Sequence, residues 1–219
     1  MIRAPVVAPV VVMIVATTLI ASTARADPSD RRLVLTGLAM APPTYLVGVS
    51  LHEASHALAA VLVGASVQSL HVFPPGRDPS TGTFRFGWTY VRGLQTRGDK
   101  TAFYLAPKLT ETALLGGFAA LVFTGAWPSN RYGALALTVF ATGLWVDVSK
   151  DVALFAPTND VVKVLTLWEL TGWRQLPVRL VYAGVAAGLG FIVVRGYERT
   201  FDRPDATTQV VVPMLATMF

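Results

Sequence analysis

An apolar run from Pro43 to Gly64 constrains this chain more than any other feature of its sequence. The run is long enough to cross a bilayer as one helix, since about 20 apolar residues suffice. Two prolines lie in the tripeptide 41–43, and prolines end or kink helices, so we expect a break there and a new helix from about Pro43. Gly64 is expected to close that helix, because glycine is common just past a helix end.

Two histidines lie one turn apart in the second half of this run. In a helix, His52 and His56 share one face and could bind a single zinc ion together. Glu53 points aside from that face, where a carboxylate can take a proton from zinc-bound water without being a ligand. This is the H-E-x-x-H arrangement, and ionisable residues inside apolar sequence are costly and usually functional. The pattern predicts a zinc site with Glu53 as the catalytic residue.

Charged residues are scarce along the chain. Of its 219 residues, 53% are hydrophobic and 14% are charged, whereas soluble domains average about 25% charged residues. The net charge of +5 comes from basic residues scattered between apolar runs, so the cationic loops of a membrane protein explain it better than nucleic-acid binding does. The chain has no cysteine, which excludes a disulfide framework and leaves only His, Asp or Glu to hold zinc.

Three further apolar runs are expected to cross the membrane. They cover residues 101–127, 132–146 and 180–194. Lys108 and Glu111 lie three residues apart in the first of them and can pair on one helix face. Together with the run that holds the histidines, these segments predict a mainly α fold, a polytopic membrane helix bundle of about 4–5 spans.

The segment from about 67 to 97 differs in kind from the apolar runs. Residues 67–73 alternate partly, and residues 83–91 alternate aromatic with polar side chains, so both are expected to be strands. Turn residues fill the stretch 74–82 between them. The sequence therefore predicts a small β-hairpin insert at the membrane surface. His71 lies on the first strand, either as a group that contacts substrate or supports a metal ligand, or as a solvated strand position.

The two ends of the chain are expected to stand apart from the membrane domain. Residues 1–26 have a positively charged start, an apolar centre and a small-x-small site, which is typical of a cleaved signal peptide. An uncleaved N-terminal anchor is the competing interpretation. Residues 27–203 are predicted to form one membrane domain that opens with a polar linker at 27–32, and residues 204–219 are predicted to form a C-terminal tail.

The sequence from His52 to Gly64, followed by Val67, resembles the first catalytic helix of the site-2 protease family of membrane-embedded zinc metalloproteases. A hairpin and then a helix opening on a small residue and proline, here Ala106-Pro107, are similar to that family too, so the resemblance covers residues 43 to about 170. It implies a multi-pass protein of the bacterial inner membrane that uses Zn²⁺ to hydrolyse peptide bonds of membrane-spanning or membrane-proximal substrates.

The resemblance also implies a third zinc ligand, an aspartate on a later helix that follows an Asn/Pro-rich stretch. Asp160 is the nearest match, because it closely follows a proline and precedes an apolar helix predicted over 161–170. Val161 stands where the family has glycine. Asp147 and Asp151 are competing candidates, since a zinc ion with an open position needs three protein ligands.

Asn159 has two interpretations. It is a suitable N-cap for the helix that follows, and its side chain could instead hydrogen-bond the substrate or an oxyanion. Two other functions also stay open for the chain: a non-proteolytic membrane protein that keeps the zinc motif for structure or metal handling, and a membrane scaffold in which the motif occurs by chance. The expected partners are the lipid bilayer and a membrane protein or peptide substrate, with no nucleic acid.

Overall fold

The computed structural model describes residues 29–79, 82–153 and 156–201. Within them, four helices are long and apolar enough to cross a membrane, and another is short. The helices are α1 (Asp30–Leu62), α2 (Arg97–Phe123), α3 (Arg131–Ala153), the short α4 (Asp160–Leu167) and α5 (Leu176–Phe201), with a 3-10 turn at Gly172–Gln175 before α5. The prediction of a mainly α, polytopic bundle is confirmed. The signal peptide or anchor predicted at 1–26 and the tail predicted at 204–219 lie outside the described residues.

Helix α1 is continuous where the sequence predicted separate segments. The expected linker does not extend over residues 30–32, and the expected break at 41–43 is wrong, because α1 begins at Asp30, with Ser29 as its N-cap, and runs through both prolines. The Thr44 hydroxyl donates to the backbone carbonyls three and four residues before it, at 3.0 and 2.9 Å. The carbonyls that the two prolines leave without a donor are those of residues 38 and 39, four positions earlier. Membrane helices tolerate such losses because neighbouring helices and local adjustments satisfy the freed groups.

The C-terminal end of α1 agrees with the sequence prediction. The helix ends at Leu62, and Gly64 follows in the left-handed region with φ +79°. The backbone N–H of Ala65 then donates to the carbonyl of Ala60 at 2.8 Å, which is the hydrogen bond of a glycine-terminated helix. This turn directs the chain back towards α1 as the first strand begins.

Helix α2 begins earlier than the resemblance implied. The expected opening at Ala106-Pro107 is wrong, since α2 starts at Arg97 and the proline lies inside it. A capping box sets the start: the Thr96 hydroxyl accepts from the Asp99 backbone N–H at 3.0 Å, and the Asp99 carboxylate accepts from the Thr96 N–H at 2.9 Å. The added turns bring Phe103 beside His56 of α1.

Two antiparallel strand pairs form the predicted insert between α1 and α2. β1 (Ser66–His71) pairs with β4 (Trp88–Arg92), and β2 (Gly76–Arg77) pairs with β3 (Phe84–Arg85). β1, β3 and β4 therefore fall within the segments 67–73 and 83–91 to about one residue, whereas β2 lies in the stretch 74–82 that the sequence predicted as turn. β4 also contacts α1, so the insert lies against the helix that carries the histidines.

Helix α4 is shorter than the predicted 161–170. It begins at Asp160 and ends at Leu167, and Glu169 follows with a φ of 60°. The backbone N–H of Leu170 donates to the carbonyl of Leu165 at 2.8 Å, so a left-handed residue ends this helix as well.

The bundle core lies between α2, α3 and α5. Buried side chains of these helices form its largest cluster: Leu115, Phe118, Val122, Ala141, Leu144, Val148, Ala186 and Val193. A second cluster joins α1 to α3 through Leu33, Leu135 and Val139. Because α1 packs against both α2 and α3, polar side chains from all three helices meet between them.

Candidate metal centre

Three potential ligand atoms converge where α4 approaches α1. Asp160 Oδ2 lies 3.4 Å from His52 Nε2 and 3.1 Å from His56 Nε2, and the two imidazole centroids are 5.1 Å apart. Atoms bonded at about 2.0–2.1 Å to one tetrahedral ion lie about 3.3 Å from each other. The spacing of the two nitrogens from the carboxylate oxygen therefore fits a single zinc-sized ion.

The second nitrogen of each imidazole is also held by an acceptor. His56 Nδ1 donates to the backbone carbonyl of Phe103 at 2.8 Å, and His52 Nδ1 donates to Glu111 Oε1 at 2.9 Å. With the protons on Nδ1, both Nε2 atoms would offer lone pairs to a bound ion. Without an ion, a protonated ring can instead donate from Nε2 to Asp160 Oδ2. Metal-binding histidines almost always donate their other ring N–H to a carbonyl or carboxylate, so the outer hydrogen bonds suit the same ion.

Asp160 is positioned by the first turn of α4. The Asn159 side chain caps the helix, accepting from the backbone N–H of Val161 at 2.8 Å. Lys163 Nζ lies 2.8 Å from Asp160 Oδ1, which leaves Oδ2 to face the histidines. Burial alone would raise the pKa of the Asp160 carboxyl, but hydrogen bonds with His52 and His56 hold it well below its ordinary value. The carboxylate is thus kept in the charged form that a metal ion needs.

Asp147 and Asp151 have other partners. Asp151 Oδ2 lies 2.8 Å from Lys108 Nζ, and Asp147 pairs with both Lys108 and Lys150. Asp147 is also 3.6 Å from His52 Nδ1, which is the ring nitrogen turned away from Asp160. Ligand-type atoms of His52, Glu111 and Asp147 form a second possible group, but the ammonium of Lys108 already contacts both carboxylates there.

Glu53 is buried, with 8% of its surface exposed. Its Oε2 accepts a hydrogen bond from the Thr89 hydroxyl of β4 at 2.7 Å. The backbone of Gly87 lies against the same side chain, and a Cβ at that position would be 2.8 Å from Glu53 Cγ. The strand insert therefore closes over the carboxylate that the sequence predicted as the base.

A cavity of ≈ 450 Å³ lies beside these groups. His52, His56, Glu53 and Asp160 line it together with strand residues 83–90 and side chains of α1 and α3. Its aromatic lining residues are Tyr45, Phe84, Phe86, Trp88, Tyr90, Phe103 and Phe140. The histidines of the motif, the glutamate and the aspartate of α4 thus share one concave site.

The two remaining candidates occupy different surroundings. Asn159 lines the cavity as well as capping α4. His71 is not among the described residues that line the cavity; its Nε2 bonds to the carbonyl of Pro74 at 2.6 Å and its ring stacks on Trp88 at 3.9 Å. Contact of either side chain with a substrate stays a prediction.

Sequence reasoning missed three side chains that hold the site together. It recognised the possible pairing of Lys108 with Glu111, which is observed at 2.9 Å, but not that Glu111 reaches His52. It gave no role to Thr89 or Lys163. The only signal for Glu111 was a second pair of ionisable residues inside an apolar run, since such residues are rare in membrane spans unless they have a function.

The fold and the site together indicate the class of protein. It is an integral membrane protein with four candidate spans among the described residues and a His-His-Asp group that could hold a metal ion. A family model described as Peptidase M50B-like matches residues 10–208. The chain therefore belongs to this family, the site-2 protease family of membrane metalloproteases. Comparisons with curated proteins and with solved structures gave no match.

Proposed function

We propose that this chain is a zinc metalloprotease of the bacterial inner membrane that hydrolyses peptide bonds of membrane-spanning or membrane-proximal substrates. Family membership supports the protease class. One observation carries the metal-dependent mechanism: the Nε2 atoms of His52 and His56 lie 3.4 and 3.1 Å from the same oxygen of Asp160, and Glu53 follows the first histidine in the chain.

In this proposal His52, His56 and Asp160 hold Zn²⁺ and leave its fourth position open. When bound, zinc would lower the pKa of its water towards neutrality and would polarise the scissile carbonyl. Glu53 accepts the proton of the attacking water and then donates it to the leaving amine. Thr89, at 2.7 Å from Glu53 Oε2, keeps that carboxylate in one orientation.

We propose that the substrate lies in the cavity between the strand insert and helices α1 and α3. A volume of ≈ 450 Å³ holds a few side chains, so a helical substrate must unwind before its backbone reaches Glu53. An edge of the strand insert is the candidate surface for holding the unwound segment in extended form. Asn159 lines the same cavity and is the proposed donor to the substrate carbonyl or oxyanion, while His71 is a candidate contact on the neighbouring strand.

Metal analysis of the purified full-length chain tests the zinc site. We expect about one zinc per wild-type chain, because three ligands of this type suit a catalytic zinc. His52→Ala and His56→Ala should each abolish retention of the metal. His71→Ala is the matched control, since it removes the remaining histidine and should keep the wild-type zinc content. A wild-type chain that retains no zinc after loading and buffer exchange would refute the proposal.

Removal of the Thr89 hydroxyl should slow cleavage without loss of metal. Thr89→Val keeps the shape of the side chain but leaves Glu53 without the Thr89 donor. A hydrogen bond to a charged group contributes about 1.5 kcal/mol or more, which corresponds to a fall of at least about tenfold in kcat. Thr89→Ser retains the hydroxyl and should cleave at close to the wild-type rate. Equal kcat values for Thr89→Val and wild type would show that this contact does not position the base.

A further inference from the structure

His52 has a buried carboxylate on the side opposite the candidate metal centre. Glu111 of α2 is 3% exposed, and its two oxygens are divided between two partners. Oε1 accepts from His52 Nδ1 at 2.9 Å, and Oε2 lies 2.9 Å from Lys108 Nζ. Glu111 therefore binds the His52 ring at Nδ1, while Nε2 on the other side of the ring lies 3.4 Å from Asp160 Oδ2.

Lys108 ties this carboxylate to α3. Its ammonium lies 2.8 Å from Asp151 Oδ2 and also contacts Asp147, which in turn pairs with Lys150. We call these residues, Lys108, Glu111, Asp147, Lys150 and Asp151, the ionic cluster. Buried ion pairs are weak contributors to stability because desolvation offsets their attraction, and charges at membrane depth are rare without a function. Helix packing alone does not explain the ionic cluster.

The two histidines differ in how they are supported. His56 Nδ1 uses a backbone carbonyl, which α2 provides without any charged group. Among the described residues, the only other carboxylate close to His52 Nδ1 is that of Asp147, at 3.6 Å, which is too long for a hydrogen bond. The orientation of the His52 ring thus depends on Glu111.

We propose that Glu111 is the positioning residue for His52, and that Lys108 anchors Glu111 to α3, so that the packing of α2 against α3 sets the direction of a ligand on α1. The inference rests on the proposed function, because it assumes that His52 Nε2 binds the metal. Glu111 acts through His52, because its two carboxylate oxygens are taken by His52 and Lys108.

Titration of the metal-free, detergent-solubilised chain with Co²⁺, followed by its visible absorption bands, tests this role independently of cleavage. Glu111→Asp keeps the charge beside Lys108 but withdraws the carboxylate by about 1.5 Å. We expect Co²⁺ affinity to fall by about 10- to 100-fold, as is typical when the partner of a metal-binding histidine is lost. The absorption bands should also shift, because the imidazole changes its angle to the ion.

Glu111→Gln makes the opposite change. Its one amide oxygen can still accept from His52 Nδ1, but its amide nitrogen then faces Lys108 and that anchor is lost, so we expect a smaller fall in Co²⁺ affinity than for Glu111→Asp. Glu198→Gln is the matched control, since Glu198 pairs with Arg195 and is not part of the ionic cluster. It should leave both the affinity and the bands unchanged.

The opposite ranking would overturn the inference. If Glu111→Gln weakens Co²⁺ binding and Glu111→Asp does not, the charge of Glu111 matters and its hydrogen bond to His52 does not. Wild-type affinity in both variants would likewise show that His52 needs no support from α2. Failure of the wild-type chain to bind Co²⁺ through His52 and His56 would instead refute the proposed zinc site itself, so the two failures are distinguishable.

Discussion

Glu53→Gln should lower kcat for cleavage of a membrane-spanning peptide by about 10²- to 10⁴-fold, the usual contribution of a positioned general base, with zinc content unchanged. Glutamine has nearly the same shape, and its amide oxygen can still accept the hydrogen bond that Thr89 donates to Glu53 at 2.7 Å. It cannot take a proton from water. The measurement pairs a single-turnover cleavage assay in detergent or vesicles with metal analysis of the same preparation.

Glu169→Gln is the control for Glu53→Gln, because the Glu169 side chain is 81% exposed. Within the part of the chain that the structure describes, its ion-pair partner is Arg97. This variant should cleave at the wild-type rate. Wild-type cleavage by Glu53→Gln would exclude Glu53 as the base. Zinc in both proteins with cleavage by neither would favour the alternative, a non-proteolytic membrane protein that keeps the motif for structure or metal handling.

Asp160→Ala should remove the metal, whereas Asp147→Ala and Asp151→Ala should keep it. Asp160 Oδ2 is the carboxylate oxygen that both Nε2 atoms approach, at 3.4 and 3.1 Å, so its loss leaves two protein ligands where catalytic zinc sites have three. Asp147 and Asp151 pair instead with lysines. Zinc per chain, measured by mass spectrometry after buffer exchange, gives the comparison.

The two other aspartate variants also control for damage to the fold. Removing Asp151 leaves Lys108 with Glu111 and Asp147, so the ionic cluster keeps most of its contacts. Thermal unfolding in detergent should reveal any loss of stability separately from loss of zinc. Equal loss of zinc from all three alanine variants, at equal stability, would refute Asp160 as the third ligand.

Local sequence patterns predicted most elements of the fold. The apolar runs identified the spanning helices, and alternation between aromatic and polar residues identified the strands, because each pattern reflects the geometry of one element. The pattern failed at the prolines of α1 and at the start of α2. Proline is read as a break in soluble proteins, whereas in a membrane bundle nearby groups satisfy the freed backbone.

The sequence by itself determined the part of the site that lies within one helical turn. Residues four apart on a helix share a face. Helix geometry therefore places His52 and His56 side by side without any tertiary contact, with Glu53 next to them in the chain. Only the tertiary structure decided which side chains meet that pair. Asp160 approaches His56 across 104 residues of sequence and Glu111 approaches His52 across 59. Such contacts depend on how α2 packs against α1 and how α4 packs against α2, which no local periodicity records.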